Sequence, residues 1–338
     1  MSTGTSLAAQ PRVSLATLPT PLAEAPRLRA ALGGERRCPR ILLKRDDLTG
    51  LAFGGNKARK LEYLVADALR QGATTLITSG AVQSNHARLT AAAARVCGLR
   101  PVLVLTTKVT EPETQGNLLL DRLLGAEVRL IPAGTDEWAA MQEVAAELRD
   151  AGERPYAIPV GGSNAIGALG YVAAMLELAS QFVAQREAPT RLYYASGSRG
   201  TQAGIALGAR LYHLPCRPHG IAVSPGGDEK TARAARIANE AAALLGADAR
   251  VTEGELLTDE GYIGAGYGIP TAACIEAIGL LARQEGVFLD PVYSGKAMAG
   301  LIDAIRRGDI APDETVVFLH TGGTPALFAQ APALGDLL

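Results

Sequence analysis

The stretch L-Y-Y-A-S-G-S-R-G-T-Q-A-G-I-A-L-G-A-R-L, residues 192–211, decides the fold class. Leu192–Ala195 is a short apolar run that reads as a buried strand. Ser196–Thr201 is a glycine-rich turn, and Thr201–Leu211 reads as a helix. The same order recurs on either side. Upstream, the apolar run Ile41–Lys44 precedes a helical pattern at Leu61, Leu64, Val65, Ala68 and Leu69. Strands are predicted over Thr75–Thr78, Pro101–Leu105, Ala126–Ile131 and Tyr156–Pro159, with helices over Ala87–Val96, Leu118–Leu124, Glu137–Leu148 and Ala165–Leu178. Downstream come a strand at Gly220–Val223, helices over Thr231–Leu245, Thr271–Gln284 and Lys296–Arg306, and a last strand at Thr315–Leu319. Apolar strands alternating with helices mark parallel sheets covered on both faces. The expected architecture is therefore α/β, with two open, mostly parallel sheets covered by helices. The turn Gly161–Gly162–Ser163–Asn164 closes a central block that opens near Lys44–Asp47, so the chain is expected to leave one sheet, build a smaller one and return.

Composition narrows the function. A chain of 338 residues suits two domains or one large unit, with 48% hydrophobic and 20% charged residues. Lys plus Arg (33) nearly balances Asp plus Glu (34), which leaves no electrostatic footprint for nucleic acid or a membrane surface. Cys38, Cys97, Cys216 and Cys274 form no C-x-x-C pair, and the four histidines show no H-E-x-x-H spacing. No metal site is expected. No stretch is expected to reach membrane-spanning length, and the opening M-S-T-G-T-S-L-A-A-Q-P-R reads as a loose leader of a cytoplasmic protein.

Four turns carry polar groups. Gly54–Gly55–Asn56–Lys57 opens a helix whose first turn holds Lys57, Arg59 and Lys60, cations that oppose the helix dipole. Either these charges reach water, or one lysine is neutral or an anion compensates; a lysine behind two glycines is how a Schiff-base lysine is presented. Ser79–His86 follows a strand and offers Gln83, Ser84, Asn85 and His86 at a helix start. Ser84 and Asn85 fit plain N-caps equally well. The Ser196–Thr201 turn exposes backbone N–H groups suited to a phosphate, yet matches neither the dinucleotide nor the P-loop pattern. His320–Pro325 ends the last strand, with Thr324 as expected N-cap, Pro325 at the first helical position and Thr321 facing the cleft. Tyr267 and Tyr293 fit core residues or cleft residues.

Together these turns resemble the D-cysteine desulfhydrase and 1-aminocyclopropane-1-carboxylate deaminase family, pyridoxal-phosphate (PLP) enzymes of the tryptophan synthase β-subunit fold (fold type II). The likeness rests on K-R-D-D-L-T-G-L-A-F-G-G-N-K-A-R-K-L-E at 44–62, P-T-P-L at 19–22, S-G-A-V-Q-S-N-H at 79–86 and I-P-V-G-G-S-N-A-I-G-A-L-G-Y at 158–171. It continues through G-Y-G-I-P at 266–270, D-P-V-Y-S-G-K-A-M-A-G-L-I-D at 290–303 and H-T-G-G-T-P-A-L-F at 320–328. The resemblance implies that Lys57 forms the internal aldimine with pyridoxal 5'-phosphate and that Asn85 bonds the ring hydroxyl. It implies that Gly197, Ser198, Arg199, Gly200 and Thr201 cradle the phosphate and that Thr321 meets the pyridine nitrogen. Tyr293 would pack on the ring, with Ser84 and Tyr267 near a small amino-acid substrate. It further implies a homodimer, with residues 1–46 and 161–338 as the larger, cofactor-binding domain and 47–160 as a smaller domain carrying Ser84.

The implied chemistry is β-elimination, D-cysteine giving pyruvate, sulfide and ammonia, with Lys57 or Ser84 moving the Cα proton. Two departures bear on substrate. Ser294 stands where the deaminase branch has glutamate, which fits the desulfhydrase branch and removes a carboxylate from the ring nitrogen. Arg199 stands where a small residue is expected; it reads first as solvated, otherwise as a phosphate contact or a cation for an anionic substrate. The last option keeps an L-cysteate sulfo-lyase as the alternative; a non-catalytic PLP-binding homologue is a further one.

Overall fold

A computed structural model describes residues 6–337. Its strands are β1 (Leu22–Glu24), β2 (Arg40–Arg45), β3 (Thr75–Ala81), β4 (Arg100–Thr107), β5 (Glu127–Pro132), β6 (Pro155–Ile158), β7 (Arg191–Ser196), β8 (Arg217–Ala222), β9 (Leu257–Asp259) and β10 (Thr315–His320). The helices are α1 (Pro26–Ala31), α2 (Lys57–Arg70), α3 (Asn85–Val96), α4 (Gly116–Leu123), α5 (Glu137–Asp150), α6 (Ala165–Gln185), α7 (Gly200–Leu211), α8 (Gly227–Leu244), α9 (Ala272–Glu285), α10 (Ser294–Arg306) and α11 (Pro325–Ala329).

The strands form two sheets, one of order β1-β2-β10-β7-β8-β9 and one of order β5-β4-β3-β6. Every pairing is parallel except that of β1 with β2. The smaller sheet takes all its strands from residues 75–158, and the larger takes its strands from before residue 46 and after residue 190. Alternate strand residues explain why both faces are covered. Ile41, Leu43, Tyr193, Val316 and Phe318 pack with the helical residues Ile278, Leu281, Met298 and Leu301. Leu42, Leu192 and Val317 point the other way, against Tyr171, Met175 and Leu178 of α6. Each such side chain contributes about 1.5–3 kcal/mol when fully buried. In the smaller sheet, Leu76 and Ile158 meet Leu61, Leu64 and Leu89 of α2 and α3, while Ile77, Val102 and Val104 meet Met141 and Val144 of α5. Tyr63 of α2 packs with Ala168, Leu169 and Val172 of α6, so the helix that begins at Lys57 bridges the two sheets.

Several expectations need correction. Helix α6 has 21 residues and is long and apolar enough to cross a membrane by those criteria alone. Here one face is buried among other helices, and its Glu177 accepts from Lys44 and Arg59. The opening segment is tied down where it is described, from residue 6; residues 1–5 lie outside the described range. Gln10 donates to the Leu244 carbonyl, and Arg12 pairs with the buried Glu62, which also accepts from the backbone of Leu15 and Ala16. The edge strands β1 and β9, three residues each, are too short to show periodicity. Helix α8 begins at Gly227 rather than Thr231. Thr324 has helical angles and makes no side-chain cap, because Pro325 alone sets the start of α11.

Candidate active site

The turns at the carboxyl ends of strands from both sheets open onto one cavity of about 1060 Å³. Ligands in open α/β folds sit at this edge, where strands end and helices begin. Lys57, Ser84, Asn85, Gly197, Ser198, Arg199, Thr201, Tyr267, Tyr293 and Thr321 all line it. Gly200 lies behind the turn rather than on the cavity: a Cβ there would sit 2.6 Å from both the Lys60 ammonium and the Ser163 hydroxyl.

The three cations at the start of α2 have three different fates. Arg59 is buried and turns away from the cavity, donating to Asp46 (2.8 and 2.9 Å), Glu177 (2.9 Å) and Thr20 (3.0 Å). Lys60 is buried with its ammonium on the Gly161 carbonyl (2.5 Å). Burial, with the positive charges of Lys57 and Arg233, holds its pKa well below the usual lysine range. Lys57 reaches the cavity, and among the described residues its ammonium is held by Asn56 Oδ1 alone, at 3.2 Å. Burial draws its pKa down to about 8, with the negative charge of Asp290 acting against. An amine with that pKa has a useful neutral fraction at pH 7, as carbonyl chemistry requires.

Around Lys57 the backbone is packed tightly. Asn56 N–H donates to the Thr321 carbonyl (3.0 Å), and Asn56 Nδ2 donates to Thr201 Oγ1 (3.1 Å). Gly322 has φ +85°, and a Cβ there would lie 2.7 Å from the Gly55 Cα, so the lysine loop and the β10 turn must both be glycine-bearing.

Ser84 caps α3, accepting from Ala87 N–H at 3.2 Å, and the same residue lines the cavity. Asn85 Oδ1 accepts from Asn117 Nδ2 (3.0 Å) and Arg88 Nη2 (3.4 Å), which leaves its amide N–H groups for the cavity. His86 is buried against Thr78 Oγ1 (2.9 Å) and burial pushes its pKa well down, so it is no cationic acid. The Tyr267 and Tyr293 hydroxyls bond each other, their rings edge to face with centroids 5.9 Å apart. Tyr267 is 43% exposed at the mouth while its hydroxyl turns inward.

Two expectations shift. Arg199 is not solvated. Its residue is 2% exposed, with φ +69°, and Nη1 donates to Ser196 (3.1 Å), Gln202 (3.1 Å) and Thr258 (2.9 Å). Glu260 lies 3.7 Å from Nη2, while Nε and Nη2 lack a hydrogen bond. Ser294 is fully buried and absent from the cavity wall; its hydroxyl donates to Asp290 (2.6 Å). Asp290 is the residue that sequence reasoning missed. Its carboxylate also accepts from the N–H groups of Val292, Tyr293 and Ser294, and a Cβ on Gly323 would collide with it. An Asp shortly before a predicted helix start, four residues before the observed start of α10, was the available signal.

These residues fit pyridoxal phosphate. The first N–H groups of the twelve-residue helix α7 are open at the Ser196–Thr201 turn, and the buried Lys60 ammonium packs on Gly200 with no carboxylate among its hydrogen-bond partners. Positive charge at a helix N-terminus is unfavourable unless an anion joins it. Among the described residues no cluster of His, Cys, Asp or Glu could hold a metal ion.

The family of pyridoxal-phosphate dependent enzymes matches residues 13–322, and the chain belongs to it. Over 326 residues the chain is 46% identical to D-cysteine desulfhydrase of Salmonella choleraesuis, covering 95% of this chain and 97% of that one. The Salmonella paratyphi C enzyme of the same name matches equally. A solved crystal structure of an ACC deaminase homologue superposes with TM-score 0.89 at 40% identity, covering 98% of both chains. A threonine deaminase isoform from Solanum lycopersicum, at TM-score 0.67 and 16% identity, shares the fold.

Proposed function

We propose that this chain is a carbon–sulfur lyase that converts D-cysteine and water to pyruvate, sulfide and ammonia. The observation that carries the reading is the 46% identity, over nearly the whole of both chains, to D-cysteine desulfhydrases. The cavity supplies the matching parts. When bound, the cofactor delocalises negative charge formed at the substrate Cα. Lys57 would attach it, Asn85 N–H would hold its ring oxygen, and the turn at Gly197–Thr201 with Lys60 would hold its phosphate. Thr321 would offer a neutral hydroxyl to its ring nitrogen. Lys57 Nζ or Ser84 Oγ would take the Cα proton; the Cβ–S electrons leave with sulfide, and water completes the release of pyruvate and ammonia. The paired Tyr267 and Tyr293 hydroxyls would close the substrate side, where one phenol can hold the departing thiolate.

The cysteate alternative is not favoured: the similar proteins are named D-cysteine desulfhydrases, and Arg199 on the cavity lining is already engaged by Ser196, Gln202 and Thr258 and faces Glu260. Ring opening of a cyclopropane substrate is disfavoured because Asp290, the carboxylate beneath Gly323, has its oxygens occupied and does not line the cavity. We further propose residues 47–160 as the smaller of two domains, a homodimeric assembly and a cytoplasmic location. The reading is tested by assaying pyruvate, sulfide and sulfite from D-cysteine, L-cysteine, L-cysteate and 1-aminocyclopropane-1-carboxylate. Sulfide with pyruvate from D-cysteine, above the other substrates, is the expected result. Faster sulfite release from L-cysteate, or equal turnover of the cyclopropane, overturns it.

A further inference from the structure

Arg88, one turn into α3, is fully buried and has no part in the chemistry above. Its Nη1 donates to the carbonyl oxygens of Ala52 and Gly54, and its Nη2 donates to Asn85 Oδ1. The two carbonyls belong to an unusual run. Ala52, Phe53, Gly54 and Gly55 have consecutive positive φ angles of 39°, 69°, 65° and 126°, ending two residues before Lys57. Two of the four carry a Cβ, which makes left-handed geometry unfavourable for them. Strain of this kind persists only where surrounding groups over-determine the conformation. Arg88 supplies that restraint directly from α3, the helix that Ser84 caps.

The same guanidinium also orients Asn85. With Asn117 it occupies the Asn85 carbonyl oxygen, so the amide N–H groups must face the cavity. Helix α4, which presents Asn117, also carries Asp121 one turn further on. Asp121 is buried and its oxygens make no hydrogen bond; burial pushes its pKa up to about 8, with the charge of Arg88 acting against. One cation thus links the lysine loop and the Asn85 amide, which α4 also holds through Asn117.

We propose that Arg88 is a positioning residue for cofactor attachment: it holds the strained 52–55 run and the Asn85 amide together, so that the Lys57 amine and the Asn85 N–H enter the cavity in a fixed relation. This rests on the cofactor reading of Lys57 and Asn85.

The test uses the full chain stripped of cofactor and given pyridoxal phosphate, with borohydride trapping read by peptide mass, absorbance of the lysine-bound cofactor, and Tm of the apoenzyme. In Arg88→Gln the rate of label appearing on Lys57 is expected to fall about ten- to a hundredfold, the scale of a misplaced reacting group. The absorbance band should shift as the Asn85 amide loses its orientation. Arg88→Lys, which keeps the charge but can serve fewer acceptors, should lie between. Thr90→Val, which removes an unpartnered buried hydroxyl from the same helix, should trap as the wild type does. A lower Tm for Arg88→Gln with unchanged trapping rate and absorbance overturns the proposal and leaves Arg88 a packing residue. Should Arg88→Gln fail to fold, Arg88→Lys decides, and a wild-type trapping rate in it overturns the proposal. Wild-type label on a lysine other than Lys57 overturns instead the reading beneath it.

Discussion

Lys57 and Arg59 are two residues apart on one helix turn, yet their surroundings are opposites. Arg59 is enclosed by Asp46, Glu177 and Thr20, with Tyr171 and Lys44 completing the network around the same carboxylates. Burial works against its charge, but the carboxylates win, and its pKa stands well above the ordinary value while that of Asp46 is held down. Lys57 has one long hydrogen bond to a neutral amide, and burial wins instead, bringing its pKa to about 8. A fully matched buried charge fixes structure; an unmatched one is kept ready for a ligand.

The comparison breaks most sharply at Lys57. Lys57→Ala should abolish covalent cofactor attachment and leave less than about one part in 10⁴ of the activity, given the loss of both attachment and a proton carrier. Borohydride trapping with peptide mapping checks it, and label on Lys44, Lys60 or Lys296 contradicts the assignment. Next comes Ser84→Ala, expected to retain cofactor while slowing turnover about 10²–10⁴-fold. Its lost cap should cost only about 1 kcal/mol in urea unfolding, so the two roles of that hydroxyl separate in two measurements. An unchanged rate would leave Ser84 a cap alone.

Arg59→Met tests the matched side. It leaves Asp46 and Glu177 buried with less compensating charge, and stability should fall by about 3–5 kcal/mol while the folded fraction still labels at Lys57. A loss below about 1 kcal/mol in urea unfolding would refute the contrast. The smallest effect is on pH. A lysine with pKa about 8 is mostly protonated at pH 7 and about half neutral at pH 8, so attachment to the apoenzyme should rise about fivefold over that unit. Above it the rate should level, having less than about a factor of two to gain; an ordinary lysine would keep rising about tenfold per unit toward pH 10. Stopped-flow absorbance distinguishes the two curves.

The sequence made the repeating order of strand, glycine turn and helix legible because β7 and β10 are buried on both faces and read as continuous apolar runs. The glycines at 54–55 and 322–323 were legible as turns, and their crossing follows from the fold. What stayed hidden were matters of direction. Nothing in the spacing of Lys57, Arg59 and Lys60 says which head group faces the cavity, since that depends on Asp46 and on a glutamate 118 positions away from Arg59. Arg199 looked like a surface residue for the same reason: its acceptors include Thr258, on a three-residue strand too short to predict. Ser294 entered only as the residue in place of a glutamate near the ring nitrogen, and nothing in the spacing showed that its hydroxyl bonds Asp290, four positions back.

Glu62 gives the opening segment a significance beyond packing. That carboxylate, 1% exposed on the helix that begins at Lys57, takes its partners from Arg12 and from the backbone of Leu15 and Ala16. Protease trimming past residue 16 would therefore remove more than a tail: it would leave an acid stranded inside the molecule one and a half turns from the lysine. Residues 12–16 act as a strap across the helix that bridges the two sheets, and anyone shortening the chain from that end is handling the active site by its far handle.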